Sequence, residues 1–297
     1  MQYFCIDIGG TYIKYGIIDS EDHFIKKWKK ATPHTLKMFE KELTLEILKV
    51  KNEVAGIAVS CPGHVDSDVG YIYTGGSLVF LNNYPLKNLI SSYVNLPISI
   101  INDGKAVALA EWEKGNLRET TNSAAVVLGT GVGGGLILNN KLYNGRNFQA
   151  GEFSFILNKP YAPDLFASYG SSVSFIEKAA EILDIHKDNY LMIFHAIEIN
   201  MSKKLNVLFD DYCKNIALLI FNLQMILDLE KVVVGGSISR QDILIWNIKR
   251  QYRALMKSNS LIEKNFKPIS VEACRFKGDS NLIGAFYHFK NVRKLNS

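Results

Sequence analysis

Phe4-Cys5-Ile6-Asp7-Ile8-Gly9-Gly10-Thr11 runs straight into Tyr12-Ile13-Lys14-Tyr15-Gly16-Ile17-Ile18-Asp19. A second stretch of the same build lies mid-chain: Ala124-Ala125-Val126-Val127-Leu128-Gly129-Thr130-Gly131, then Val132-Gly133-Gly134-Gly135-Leu136-Ile137-Leu138. Each reads as an apolar strand, a Gly/Thr turn and a second apolar strand. Glycine permits positive φ at such a turn and leaves no Cβ between the backbone N–H groups and an anion. One hairpin would say little. Two, each with a Thr hydroxyl beside its glycines, point to two domains gripping one phosphate chain from opposite sides.

Outward from the first hairpin, Asp22 to Lys30 predicts a third strand and Thr35 to Val50 has helical periodicity. Val54 to Ser60 reads as a buried strand stopped by Cys61-Pro62-Gly63. A loop holding Gly75-Gly76-Ser77 follows, then a helix over Leu86–Val94 and a strand, Ile98 to Ile101, that leads into Asn102-Asp103 and a helix ending at Gly115. The second half repeats the scheme. Its hairpin is followed by a strand near Lys141-Leu142-Tyr143, a mostly helical stretch, and Val232-Val233-Val234 ending in Gly235-Gly236-Ser237. A helix over Arg240–Lys257, a strand over Ile269–Cys274 and a closing helix from Asn281 complete it. The expected fold class is α/β, a duplicated β-rich unit with its boundary in the polar run Asn116 to Asn122.

Composition narrows the function classes. The chain has 297 residues, 47% hydrophobic and 21% charged, enough for two domains with their own cores. The formal charge of +5 is modest. The basic clusters Lys26-Lys27-Trp28-Lys29-Lys30 and Lys290 to Lys294 lack a nucleic-acid motif and read as solvated faces. Four cysteines stand dozens of residues apart with no knuckle or redox spacing, as expected of reduced thiols in the cytoplasm. The N-terminus enters a strand without a signal peptide, and Ile216 to Leu229 is too short and polar for a membrane span.

Asp7 ends a strand before the first turn. It can orient water around a phosphate-bound Mg²⁺, which keeps several waters, or cap nearby amides in an Asx-type turn. Asp103 sits where a strand meets a helix. Phosphoryl transfer to a hydroxyl needs alignment, charge neutralisation and an acceptor for the hydroxyl proton, and a carboxylate there is rigidly held. The same place suits an N-cap, so both readings stand. Asn102 beside it can hydrogen-bond a polyol. Glu152, in Gln149-Ala150-Gly151-Glu152-Phe153-Ser154-Phe155, is either a sugar contact against aromatic walls or a solvated loop acid. Gly235-Gly236-Ser237 allows close approach of a nucleotide, or is a plain strand–turn–helix connection. The histidines show no ligand spacing, and His64 and His288 are read as surface or packing residues.

These motifs in this order resemble the ROK family of sugar kinases and repressors, within the actin-like ATPase superfamily, over nearly the whole chain. Asp7 to Thr11 with Lys14 matches the first phosphate motif and Leu128 to Gly135 the second. Ser60 to Asp66 matches the strand-end Pro-Gly segment, Asn102-Asp103 the catalytic pair and Ala150 to Phe153 the start of the sugar signature. The resemblance implies a two-lobed, ribonuclease H-like fold with an active-site cleft. Residues 1–118 would form a smaller lobe completed by the helix over 281–297, and residues 119–280 a larger lobe that carries the adenosine site and the dimer contact. It implies an ATP-dependent, Mg²⁺-requiring kinase acting on a small sugar as a homodimer. Asp103 would be the base toward the 6-hydroxyl, with Asn102, Glu152, Gly75 and Gly76 on the sugar side. Asp7, Gly9, Gly10, Thr11, Lys14, Gly129, Thr130, Gly131, Gly133 and Gly134 would serve the phosphates, and Gly235 and Gly236 the adenosine. Zinc-containing members carry a His three residues after that Glu and a Cys-rich knuckle beyond. Here the position is Phe155 and residues 157–170 hold no cysteine, so a zinc-free chain is expected. The Gly75-Gly76 loop, the Gly151-Glu152-Phe153 string and the ending Leu282 to Phe289 look most like β-glucoside kinases; glucokinase and N-acetylmannosamine kinase remain alternatives. A sugar-responsive regulator without turnover is the reading from another class. A repressor would need a helix-turn-helix before Phe4, where there is no room.

Overall fold

The computed structural model describes residues 1–157 and 165–295. The first five-stranded sheet is built from β1 (Gln2–Ile8), β2 (Tyr12–Asp19), β3 (Phe24–Ala31), β4 (Ile57–Cys61) and, after the short ribbon β5 (His64–Asp66) and β6 (Tyr71–Thr74), β7 (Ile98–Asn102). Helices α1 (Leu36–Val50), α2 (Leu86–Ser91) and α3 (Asp103–Lys114) connect and cover it. The second sheet holds β8 (Ser123–Leu128), β9 (Val132–Leu138), β10 (Lys141–Tyr143), β11 (Lys231–Gly236) and β12 (Ser270–Ala273). Its helices are α4 (Phe166–Gly170), α5 (Ser172–Leu183), α6 (Tyr190–Glu198), α7 (Lys203–Leu227), α8 (Asp242–Met256) and α9 (Ser260–Asn265), and α10 (Ser280–Leu295) follows β12 and returns to the first sheet.

The duplication expected from the two hairpins is explicit in the strand orders, β3-β2-β1-β4-β7 and β10-β9-β8-β11-β12. In each sheet an antiparallel meander is extended by two parallel strands. Parallel addition needs a crossover covering the sheet, which is why helices follow β3 and separate β8–β10 from β11. One face of the first sheet is sealed by stacked aromatics. The rings of Phe4 and Tyr15 lie 5.8 Å apart and those of Tyr15 and Trp28 5.4 Å apart. Trp28 Nε1 donates to Glu46 Oε2 on α1 at 2.8 Å, so the buried indole keeps a partner.

The other face is covered from afar. Leu282, Phe286 and Phe289 of α10 pack with Cys5, Ala58 and Ile101 of the first sheet and with Ala106 and Leu109 of α3. The opposite side of α3, Val107 and Ala108, packs on Ala125 and Val233 of the second sheet. Residues 104–111 of α3 are buried all round, Lys105 and Glu111 included, and the helix is wedged between the sheets. Small residues make the wedge possible. A Cβ on Gly284 of α10 would lie 1.9 Å from the Ala106 carbonyl oxygen, and one on Gly104 would lie 2.5 Å from the Gly134 nitrogen on β9.

The structure departs from the sequence reading in two places. The strand expected from Val54 begins at Ile57. Backbone bonds from Ala55 N–H to the Gln2 carbonyl at 2.8 Å and from Phe4 N–H to the Gly56 carbonyl at 3.0 Å already tie the preceding residues to β1, and a Cβ on Gly56 would lie 2.2 Å from the Phe289 ring. The β5–β6 ribbon was not foreseen. Its strands are three and four residues long, too short for alternation to register. The cysteine-free segment weighed for a zinc knuckle lies partly outside the described residues, at 158–164. No helix among the described residues is long and apolar enough to cross a membrane.

Candidate active site

The two glycine turns present their threonines alike. Gly9 N–H donates to the Tyr12 carbonyl at 3.1 Å and Gly129 N–H to the Gly131 carbonyl at 2.9 Å, leaving Thr11 and Thr130 exposed at the tips. Behind the first turn, buried Asp7 is fixed at both oxygens. Oδ2 accepts from Lys14 Nζ at 3.2 Å and Oδ1 from Asn281 Nδ2 at 2.8 Å. Lys14 Nζ also donates to the Gly278 carbonyl at 3.1 Å. The first hairpin is thereby tied to the segment that opens α10.

Between the sheets lies a cavity of about 250 Å³, lined by Lys14, Val107, Val127, Gly235, Gly236, Ser237, Arg240, Lys277, Gly278, Ser280 and Asn281. Three of these are cations and none is a carboxylate. Gly236 ends β11 with φ of +101°, and a Cβ there would lie 2.0 Å from the Leu128 carbonyl oxygen. Lys277 also adopts positive φ, 51°, before Gly278. A basic cavity with glycine backbone on one wall and valines on another suits a nucleotide polyphosphate. Arg240, Lys277 and Asn281 carry no signal of their own in the sequence: Arg240 follows the Gly235-Gly236-Ser237 turn by three residues, but the cavity forms only where that turn meets the segment opening α10.

Asn102 and Asp103 divide the labour that the sequence left ambiguous. Asn102 is the N-cap of α3: Oδ1 accepts from Lys105 N–H at 3.0 Å, while Nδ2 donates to the Gly63 carbonyl at 2.8 Å and to Asp103 Oδ1 at 3.1 Å. Asp103 is the first helical residue, its Oδ1 accepting from Gly104 N–H at 2.7 Å. Burial, reinforced by the charges of Asp7 and Glu152 and opposed by the Gly104 N–H and the Asn102 amide, raises its carboxyl to about 7. Asp7, Asp103 and Glu152 are thus within electrostatic reach of one another. Burial raises Glu152 too, opposed by Lys105 and His64. The buried Cys61 thiol is pushed up by desolvation and by Asp103 and Asp7.

The remaining sequence candidates fall in three places. Gly75 and Gly76 lie beside the first turn. A Cβ on Gly10 would lie 3.0 Å from Ser77 Oγ, and Gly76, at φ +60°, faces Gly63. Gly131 abuts Ser154, whose Oγ accepts from Val132 N–H at 2.8 Å. Gly133 and Gly134 sit inside β9; Gly133 is open, whereas Gly134 is enclosed by Phe153, Ala125 and Gly104. Lys105 and His64 are part of the same constellation. The sequence offered a signal for the first, a lysine entering the run Ala106-Val107-Ala108-Leu109-Ala110. Among the described residues, no group of three or more His, Cys, Asp or Glu side chains could hold a metal ion.

Comparison with known proteins agrees with this architecture. The ROK family pattern matches residues 3–292. A β-glucoside kinase of Listeria innocua is 25% identical over 97% of this chain and 97% of its own. A glucokinase of Halalkalibacterium halodurans is 28% identical over 85% of each chain. The crystal structure of a ROK family protein from Streptococcus pneumoniae in complex with sucrose, 25% identical, superposes with a TM-score of 0.85 over 99% of this chain and 100% of its own. With its repeated sheet and intervening cleft in the actin-like ATPase fold, this chain belongs to the ROK family.

Proposed function

We propose that this protein is a ROK-type carbohydrate kinase that transfers the terminal phosphoryl group of ATP to the 6-hydroxyl of a hexose or of the glucose unit of a β-glucoside. The observation that carries the reading is Asp103. It is a desolvated carboxylate raised to about 7, at a helix start already capped by its neighbour. It is free to act as a base. As the sugar oxygen bonds to phosphorus and the bond to the bridging oxygen of ADP breaks, Asp103 takes the hydroxyl proton. Glu152 holds sugar hydroxyls, Asn102 keeps Asp103 in place, and Gly75 with Gly76 borders the acceptor. Lys14, Arg240 and Lys277 line the cavity that receives the phosphates. Mg²⁺ bound with ATP would neutralise phosphate charge, and Asp7 is the residue that would hold one of its waters. The names borne by relatives support sugar phosphorylation. The reading includes a cytoplasmic homodimer whose lobes, residues 1–118 with α10 and residues 119–280, meet at the cleft.

An ADP-release assay across glucose, cellobiose and N-acetylmannosamine tests it. Turnover on at least one is expected, with cellobiose the favoured acceptor. Sugar binding without ADP release on any of them would leave a regulator instead. The cationic cavity is tested separately. Arg240→Ala and Lys277→Ala are each expected to raise the ATP KM by about tenfold, one charge-assisted hydrogen bond's worth, with the sugar KM unchanged. An unchanged ATP KM in both variants removes these residues from the phosphate site.

We further propose that the protein folds without zinc. Phe155 stands 66% exposed where zinc-containing members carry His, and the four cysteines are buried and apart. Elemental analysis of tag-free protein is expected to give far below one zinc per chain. A stoichiometric value overturns the reading.

A further inference from the structure

Lys105 lies two residues beyond Asp103 on α3 and is 1% exposed. Burying an ammonium is unfavourable unless something uses it. Its Nζ donates to the Phe148 carbonyl at 2.8 Å and lies 5.8 Å from the centre of that residue's ring. Phe148 adopts φ of +57°, an uncommon conformation for an aromatic residue. The preceding carbonyl, Asn147, is 2.6 Å from His64 Nε2, and the His64 ring lies 4.8 Å from Tyr73 on β6. Two successive carbonyls of the loop after β10 are therefore held by donors from α3 and β5, elements of the first half of the chain. Glu152 follows that loop directly.

We propose that Lys105 is a positioning residue: it pins residues 147–148 across the cleft and so fixes where Glu152 meets the sugar. The proposal rests on the sugar-binding role given to Glu152 above. Lys105 acts through the loop and touches no reacting atom, so it sets acceptor affinity and leaves the transfer step alone. The electrostatics agree, because the Lys105 and His64 charges both oppose the rise that burial imposes on Glu152. The backbone of α3 at Lys105 lies close against β9, where a Cβ on Gly135 would lie 2.9 Å from Lys105 Cα.

Lys105→Met keeps the length and apolar contacts of the stem and removes the donor. It is expected to raise the sugar KM by at least about tenfold, the loss of a charged hydrogen bond, with kcat within about threefold and the ATP KM unchanged. Lys105→Gln, which retains a donor, should recover part of that loss. It carries the same test if the Met variant fails to fold. Hydrogen exchange without sugar supplies a second readout, with faster exchange in Lys105→Met expected over residues 144–152 and not in β1–β4. Wild-type sugar affinity in a variant with a loosened loop overturns the positioning role. So does a loop whose exchange is unchanged, or a fall in kcat at constant sugar KM. If the wild-type protein phosphorylates no sugar, the kinase reading fails, and the exchange measurement still decides whether Lys105 holds the loop.

Discussion

Asp103→Asn is expected to lower kcat by about 10²–10⁴, the range for losing a positioned general base, without lowering the melting temperature. The cap of α3 is supplied by Asn102 Oδ1 on Lys105 N–H, so the substitution leaves it intact. The amide oxygen can still accept from Gly104 N–H. The two roles confounded in the sequence are therefore separable by one substitution. The pH dependence follows from the same carboxyl, raised by burial to about 7. Below that pH it is protonated and cannot accept the hydroxyl proton, so wild-type kcat/KM should fall about tenfold per pH unit on the acid side. The residual activity of Asp103→Asn should lack that limb. Stability moves the opposite way. A carboxyl raised in the folded state favours folding when protonated, so this contribution is present at acid pH and is lost as pH rises toward 7. At pH 8 the Asn variant should melt at or above the wild type. Steady-state kinetics on the best acceptor and melts at pH 5 and 8 check this. Activity within about threefold of wild type at pH 8 would falsify the base assignment.

Gly236→Ala should damage both the fold and the nucleotide cavity. Its φ of +101° with ψ of 170° lies in a region open almost only to glycine, at a cost of about 1–3 kcal/mol for any other residue. A Cβ would also lie 2.0 Å from the Leu128 carbonyl oxygen, a backbone atom of the strand paired with it, so relief requires moving β8 against β11. We expect a loss of at least about 2 kcal/mol in urea denaturation and loss of measurable binding of a non-hydrolysable ATP analogue by calorimetry. Gly133→Ala is the stability control, since a Cβ there meets nothing within 4 Å. If Gly236→Ala and Gly133→Ala unfold at the same midpoint, the strained-turn argument is wrong.

Much of the architecture was legible because it is written locally. An apolar run broken by Gly-Gly-Thr or Gly-Thr-Gly specifies a hairpin without help from the rest of the chain, and the repetition specified two equivalent sheets. The fit of Gly56 against Phe289 was illegible, because the two stand more than two hundred residues apart and only the fold brings the ring to within 2.2 Å of a Cβ there. The site divides similarly. Asp7, Asp103 and Glu152 could be picked out from strand ends and glycines, and the structure brings all three within electrostatic range. Whether Asp103 or Asn102 caps α3 could not be read, since both residue types serve equally. The parts played by Lys105 and His64 depend on a loop whose carbonyls reach them only after the two sheets meet. No spacing rule encodes such a meeting.

The position of α10 bears on how the chain is made. During synthesis β1–β4 leave the ribosome early, but the apolar face formed by Cys5, Ala58 and Ile101 is sealed by Leu282, Phe286 and Phe289, which follow Ala58 by more than two hundred residues. At about 5–20 residues per second, that face waits on the order of ten seconds or more for its cover. Asp7 likewise acquires its second partner only when Asn281 emerges. The first half of the nascent chain is therefore expected to need protection from aggregation until α10 emerges. Truncation within α10 should leave a trapped, aggregation-prone sheet, whereas removal of an exposed loop of similar length elsewhere should not.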